Sequence, residues 1–200
     1  MSSRPFRFGL QAFEAATADD WFGLARRTED LGYSTLMSSD HYFGPGAISD
    51  ATAHRPVDMA PLTSIAMAAA VTSTLRVGCR VFACDFHHPV VLAKETATID
   101  VLSGGRLEVG LGAGWVRDEY DGLGVPMASP GARIAKVGEY VDLLRAHWAG
   151  DQLDIDTANT HASGFAGRPV PVQQPGPPIM IGGGAPKILG LAGRLADIVS

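Results

Sequence analysis

Short apolar runs alternate with helical stretches throughout this chain, and the alternation limits its fold more than any other feature. The runs begin near Phe6, Tyr33, Leu75, Arg106 and Ile179, and most end in a polar or glycine-rich cluster. This order predicts parallel strands joined by crossover helices. The carboxyl ends of such strands meet at one face, so the clusters should converge on one pocket, as in an enzyme.

Capping residues mark the helices between these runs. Thr17 and Asp20 form a T-x-x-D capping box, and Gly32 follows the last turn of the same helix. Ser129 and Pro130 predict the N-cap and first residue of another helix. Apolar residues then recur at spacings of three and four, which predicts a long helix after Pro130.

Two segments, 42–57 and 150–178, interrupt the alternation. The first is predicted to be a long irregular loop, typical of a binding loop or lid, and the second a hairpin-like excursion. Residues 196–200 look like the opening of a sixth strand. We therefore expect an α/β fold in a single domain over residues 1–200, a (β/α)8 TIM barrel truncated after about five β/α units. An open doubly wound sheet, complete as it stands, is the alternative.

The composition argues against several kinds of partner. A formal net charge of −5 leaves no basic surface for nucleic acid, and the longest apolar run is too short to span a bilayer. No signal peptide is visible, so we expect a cytoplasmic protein that binds neither nucleic acid nor membranes. Cys79 and Cys84 lie in one predicted strand, too far apart for a disulfide, and two buried thiols fit a reducing cytoplasm.

An Asp-His pair follows the second predicted strand. His41 could exchange a proton near neutral pH, and the neighbouring Asp40 could tune or orient it. Alternatively, Asp40 caps local backbone and His41 packs passively. The position at a strand's carboxyl end leaves the two interpretations equally supported.

Two glycine-rich clusters follow later strands. In the first, Gly110 to Trp115, glycine would let the backbone approach a flat ligand and the indole could stack on a ring; a tight turn is the alternative. It is not a dinucleotide fingerprint, because Trp115 stands at the third glycine position. In the second, Gly182 to Lys187, bare amides at a helix start suit a phosphate.

The histidines do not form a recognisable ligand set. His54, His87, His88, His147 and His161 show neither an H-x-H on the first strand nor an H-E-x-x-H motif, so we predict no metal site. The chain also lacks the G-x-S-x-G elbow of serine hydrolases.

The chain carries four motifs that belong together. They are SSDHYF at 38–43, RVGCRVFACDFHHPVVLAKETATIDVLSGGRLEVGLGAGW at 76–115, the pair Glu119-Tyr120, and PPIMIGGG at 177–184. In these motifs, which span the chain, it resembles the bacterial luciferase-like monooxygenase superfamily, closest to the actinobacterial branch that uses the deazaflavin coenzyme F420. The resemblance implies a (β/α)8 barrel with insertions, a small-molecule substrate, and a homodimer when full-length.

The resemblance also implies roles for individual residues. His41 would take up or deliver a proton, and Asp40 would contact the deazaflavin ring and orient His41. Family members carry a non-prolyl cis peptide behind the ring, placed here at Arg80-Val81. The other implied cofactor contacts are Phe82 in the same stretch, Gly112, Ala113 and Gly114 beside the ring, Trp115, and Gly183 and Gly184 as backbone donors to the phosphate.

The chain departs from the family pattern at two positions, and each departure argues against one activity of the family. Trp115 stands where some dehydrogenases carry a glutamate proton donor, which argues against sugar-phosphate oxidation. Ala113 stands where bacterial luciferase has a phosphate-contacting arginine, which argues against an FMN luciferase. The expected function is an F420-dependent oxidoreductase acting on a small, apolar or aromatic substrate. The alternatives are an FMN-dependent monooxygenase of the same fold and a truncated, non-catalytic remnant.

Overall fold

The computed structural model describes residues 6–157 and 159–200, and within them the chain forms an α/β fold around one parallel main sheet. The strands are β1 (Gly9–Gln11), β2 (Thr35–Ser38), β3 (Arg76–Ala83), β4 (Leu107–Gly112), the hairpin strands β5 (Gln152–Asp156) and β6 (His161–Ala166), then β7 (Ile179–Ile181) and β8 (Ile198–Val199). The helices are α1 (Ala18–Asp30), α2 (Ala47–Thr52), α3 (Pro61–Ala70), α4 (Pro89–Ser103), α5 (Arg117–Leu123), α6 (Pro130–Ala149) and α7 (Pro186–Leu195), with a 3-10 turn at Cys84–Phe86.

The strand order distinguishes the two predicted architectures. The main sheet runs β1-β2-β3-β4-β7-β8, and each neighbouring pair is parallel. A doubly wound sheet reverses its order at a switch point, whereas a barrel wall adds strands in chain order. The order observed in the described residues does not reverse. The barrel prediction is therefore confirmed, and the doubly wound alternative is wrong.

The core lies between the main sheet and the helices that cover it. Every residue of β2 and β4 is buried, as expected for strands covered on both faces. Large side chains from α3, α4 and α6 pack against the sheet. Leu36 of β2 and the helical residues Ile65, Leu92, Leu144 and Trp148 are all at most 1% exposed. The antiparallel hairpin β5–β6 lies between β4 and β7 along the chain and forms a separate sheet, which confirms the predicted excursion.

Local capping signals behave as predicted. The Thr17 side chain accepts a hydrogen bond from Asp20 N, and the Asp20 carboxylate accepts one from Thr17 N, so the capping box is complete. Ser129 caps α6 by accepting from Ala132 N. Gly150, with φ +84, ends the same helix in the left-handed region that glycine adopts without strain.

Two short helices were not predicted. The segment 42–57 is not irregular throughout, because α2 lies within it. Helix α2 buries none of its residues, and α5 buries only Glu119 and Tyr120, so neither has an apolar periodicity that sequence could reveal. Cys79 and Cys84 are free and buried, as predicted, and burial raises the pKa of both thiols. In the described part of the chain, every helix is too short or too polar to cross a membrane.

Candidate active site

A cleft of about 950 Å³ opens at the carboxyl ends of the parallel strands. Every strand of the main sheet, or the residues directly after it, contributes to the lining: Gln11, His41, Arg80, Gly112, Gly182 and Ser200 are examples. A concave site of this size suits a small molecule. The predicted convergence of the strand ends is therefore confirmed.

The predicted site residues meet in this cleft with one exception. The lining includes Asp40, His41, Arg80, Val81, Gly112, Ala113, Gly114, Trp115, Gly183 and Gly184. Phe82 does not line it: the side chain is fully buried in the core, with its ring 5.3 Å from that of His87. Successive strand residues point to opposite faces, so Val81 faces the cleft and Phe82 faces the helices.

His41 is held by a carboxylate that the sequence analysis did not single out as a site residue. Its Nδ1 lies 2.9 Å from Glu119 Oε2, and the other Glu119 oxygen accepts a hydrogen bond from Tyr42 N. The Glu119 side chain is 3% exposed. Because an ionised carboxylate only accepts hydrogen bonds, Nδ1 carries the proton and Nε2 is left as the basic atom. Glu119, rather than Asp40, orients His41; the expectation for Asp40 is corrected here.

Asp40 forms a second carboxylate–imidazole pair. Its Oδ2 accepts hydrogen bonds from Ala83 N and His87 Nε2, both at 2.8 Å. Its other oxygen, the spare Oδ1, is buried and has no hydrogen-bond partner among the described residues. Asp40 thus anchors backbone, as one interpretation expected, and also presents an unsatisfied acceptor. A buried polar atom in this state calls for a ligand or water.

Aromatic rings surround His41. The ring of His54 is 4.3 Å away between centroids, that of Phe43 is 5.1 Å away and that of Trp115 is 6.2 Å away. His54 comes from the 42–57 segment, so this predicted binding loop does reach the cleft. The Trp115 side chain is 55% exposed, which leaves its indole available to a flat ligand.

The floor of the cleft explains several glycines. The Arg80–Val81 peptide is cis, which confirms the expectation from the resemblance. A Cβ atom on Gly110, Gly112 or Gly182 would lie 2.9, 2.5 or 2.9 Å from the Val81 side chain. These glycines therefore make room for Val81, a reason that the sequence pattern does not reveal.

The glycine-rich turn before α7 fits the phosphate prediction only in part. Gly183 N donates to Ser200 O at 3.0 Å, so this amide is already used in the connection to β8. Space beside Gly184 is open. An anion would therefore be met by Gly184 and by the first turn of α7 rather than by Gly183.

The charged groups of the cleft are divided by sign. The acidic side chains Asp40 and Glu119 are each paired with an imidazole. Arg80 and Arg133 provide positive charge, and Arg80 is oriented by Gln11 and Ser200. The lining therefore combines two acidic residues, the side chain of Val81 and two guanidinium groups. Within the described ranges, no three His, Cys, Asp or Glu side chains cluster in a way that could hold a metal ion.

The chain is similar in sequence to a known family and to several of its relatives. A family model described as luciferase-like monooxygenase matches residues 4–200. The chain is 32% identical over 203 residues to an uncharacterized protein of Mycobacterium tuberculosis, covering 95% of this chain and 70% of the relative. It is 31% identical over 179 residues to the F420-dependent glucose-6-phosphate dehydrogenase of Nocardia farcinica, covering 87% and 50%. It is 29% identical over 109 residues to the FMNH(2)-dependent dimethylsulfone monooxygenase of Pseudomonas putida, covering 54% and 30%.

Solved structures give the same picture. The crystal structure of monooxygenase RslO1 from Streptomyces bottropensis superposes with a TM-score of 0.79 at 25% identity, covering 94% of this chain and 57% of that one. An F420-dependent secondary alcohol dehydrogenase, in complex with an F420-acetone adduct, gives 0.82 at 20% identity, covering 96% and 57%. The second likeness concerns the fold alone. The chain thus spans little more than half the length of these structures.

Proposed function

The chain belongs to the luciferase-like monooxygenase family, and from that premise we propose that it is an oxidoreductase in which a hydride moves between coenzyme F420 and a small organic substrate. One observation carries the proposal. One cleft is lined both by His41, whose imidazole is bound by Glu119, and by the adjacent Asp40, whose Oδ1 has no partner in the described part of the chain.

The preference for F420 over FMN rests on how much of the chain each kind of relative matches. The Nocardia protein named as F420-dependent aligns with 87% of this chain, and the Pseudomonas protein named as FMNH(2)-dependent aligns with 54%. Ala113 supports the same choice, because it offers no guanidinium to a flavin phosphate.

The residues that would hold the cofactor follow from the lining. Val81 would support the ring from below, with Gly112, Ala113 and Gly114 at its edge. The spare Oδ1 of Asp40 would accept a hydrogen bond from a ring N–H. Gly184 and the first turn of α7 would meet the phosphate. Bound there, the deazaflavin supplies the hydride chemistry, and the protein supplies position and electrostatics.

The protein's own part in the reaction is proton transfer. His41 Nε2 accepts the hydroxyl proton of a substrate that is being oxidised, or returns a proton to a carbonyl oxygen in the opposite direction. Glu119 stabilises the imidazolium that forms and keeps Nε2 toward the cleft. The rings of Phe13, Phe86 and Trp115 in the cleft lining favour an apolar or aromatic substrate. Sugar-phosphate oxidation is not proposed, because Trp115 provides no carboxylate.

Replacing His41 with Asn tests the assignment. We expect the affinity for F420 to stay within about threefold, while F420 reduction with a panel of secondary alcohols falls by about 10² to 10⁴. His88→Asn is the matched control, since this exposed histidine lies outside the cleft lining. Turnover by His41→Asn equal to that of the wild type would remove His41 from the mechanism.

An FMN-dependent monooxygenase is the second candidate, and the similarity to the FMNH(2)-dependent Pseudomonas enzyme favours it. Titration with F420 and with FMN, followed by fluorescence quenching, separates the two. Tighter binding of FMN with oxygen-dependent turnover would replace the F420 proposal. Binding of neither would favour the non-catalytic remnant. The homodimer implied by the resemblance and the cytoplasmic location expected from the sequence stay predictions.

A further inference from the structure

We propose that His87 is a positioning residue for Asp40, holding Oδ2 of this buried carboxylate so that Oδ1, which has no partner among the residues described, is left as the acceptor for a ring N–H of the bound cofactor. The inference rests on the proposed function for the identity of the ligand. The pairing of the two side chains does not depend on it.

The contacts of Asp40 carry this inference. Its side chain is 0% exposed, and both donors that reach it bind the same oxygen, Oδ2. The donor from Ala83 is backbone and fixed by β3. The donor from His87 is therefore the side-chain group that a substitution can remove. With Oδ2 held from two directions, the carboxylate cannot rotate without breaking a bond, and Oδ1 keeps its direction.

His87 is itself held in place and lies behind Asp40, not in the cleft lining. Its backbone oxygen accepts a hydrogen bond from the Tyr140 hydroxyl, and its ring packs edge-on against Phe82 at 5.3 Å. Its side chain is 11% exposed. Because His87 reaches no ligand directly, it acts only through Asp40.

The pair differs from the one formed by His41 and Glu119. Both His41 and Glu119 belong to the cleft lining, whereas of the second pair only Asp40 does. The hydrogen bond from His87 Nε2 occupies Oδ2 and leaves Oδ1 as the oxygen that can accept from a ligand.

Other titratable groups also lie around Asp40. Burial raises the pKa of Cys79 and of Tyr42; the negative charge of Asp40 adds to both effects, and a side-chain hydrogen bond with Asp40 adds to that of Tyr42. The pKa of Cys84 is likewise raised by burial, with a smaller contribution from Asp40. These three groups are neutral at physiological pH, so the nearby charged or chargeable groups are Asp40 itself, His87, His41 and Glu119.

The test compares His87→Gln, His87→Leu and the control His88→Gln. The amide that the first variant introduces can still donate to Oδ2, whereas the aliphatic side chain of the second cannot; His88 is the exposed neighbour. We expect F420 affinity within about threefold of wild type for His87→Gln and His88→Gln, and a loss of at least about tenfold for His87→Leu. Wild-type affinity in His87→Leu would overturn the proposal.

A measurement without cofactor separates this inference from the proposed function. Nitrogen-15 NMR of the wild-type protein should show a proton on His87 Nε2 at neutral pH, and carbon-13 NMR should show an ionised Asp40 carboxyl. A His87 protonated only on Nδ1 would overturn the proposal, whatever F420 does. If neither F420 nor FMN binds while the NMR result holds, the pairing stands and the cofactor assignment fails. The same spectra remain decisive if His87→Leu does not fold.

Discussion

The buried carboxylates at the two ends of the main sheet bind different kinds of partner. At the amino end, Glu108 is 2% exposed and accepts hydrogen bonds from the guanidinium groups of Arg7 and Arg76 and from the Thr35 hydroxyl. At the carboxyl end, Asp40 and Glu119 are buried to a similar degree, and each is paired with a histidine.

The two ends differ in whether a buried polar group keeps an atom without a hydrogen-bond partner. The charged partners of Glu108 are permanent cations, and both of its oxygens accept hydrogen bonds, so the cluster contributes to stability. The carboxylates at the other end are paired with imidazoles, and within residues 6–157 and 159–200 each pair leaves one atom without a partner, the spare Oδ1 of Asp40 and Nε2 of His41. In a barrel, chemistry belongs at the carboxyl ends of the strands and stability at the amino ends, and the distribution of satisfied atoms follows that division.

The largest effect should come from Glu119→Gln at the carboxyl end. The amide can donate to His41 Nδ1 and so reverse the tautomer, which would cost about 10² to 10⁴ in F420 turnover. F420 affinity should change less than turnover, since Glu119 acts through its hydrogen bond to His41. Asp118→Asn, an exposed change on the same helix, is the control for turnover and for urea unfolding. Equal turnover in the two variants would contradict a role of Glu119 in the reaction, and with it the functional difference between the two ends of the sheet.

A change at the amino end should do the opposite. Glu108→Ala leaves Arg76 partly buried without its partner, which should lower the free energy of unfolding by about 3 kcal/mol. F420 affinity of the folded protein should stay within about twofold, because the ion cluster is at the far end of the sheet. Urea unfolding and F420 titration measure both quantities, with the exposed Glu95→Ala as control. Loss of F420 affinity without loss of stability would contradict this prediction.

Glu29 is a further hydrogen-bonded carboxylate, and it predicts how the stability of the protein changes at acid pH. Desolvation raises its pKa, but hydrogen bonds from Ser73, Thr74 and Leu75 outweigh this effect and lower the pKa to about 2. Since the folded value lies below the unfolded 4.5, the stabilisation is present at neutral pH and is lost as the pH falls from about 4.5 toward 2. Glu29→Gln should lower stability at pH 7 by about 1 to 2 kcal/mol and flatten the acid limb of the unfolding curve. The exposed Asp30→Asn should leave that limb unchanged.

Local signals account for the parts of the fold that sequence could predict. The Thr17–Asp20 cap and the strand Ile179–Ile181 are each specified by a few neighbouring residues, and both were predicted correctly. Strand ends also place His41 and Asp40 at one face, because parallel strands share a direction.

The partners of those two residues could not be predicted in this way. Glu119 is 78 residues from His41 along the chain, and His87 is 47 residues from Asp40. Glu119 lies on a helix too short to have a periodic pattern, and His87 looked like one of several unrelated histidines. Only the packed barrel brings each carboxylate to its imidazole, so the geometry of the site is a tertiary property.

His147 provides the smallest and sharpest test, since this buried histidine belongs to neither end's carboxylate cluster. It is 2% exposed on α6, and burial lowers its pKa below the ordinary 6.5. The folded protein therefore holds it neutral, and stability should fall as the pH drops below about 6.5, where the unfolded chain takes up the proton. His147→Phe should reduce the stability difference between about pH 5 and 8, measured by urea unfolding at each pH. The exposed His161→Phe should preserve that difference. A pH slope unchanged by His147→Phe would contradict this assignment of the stability loss to His147.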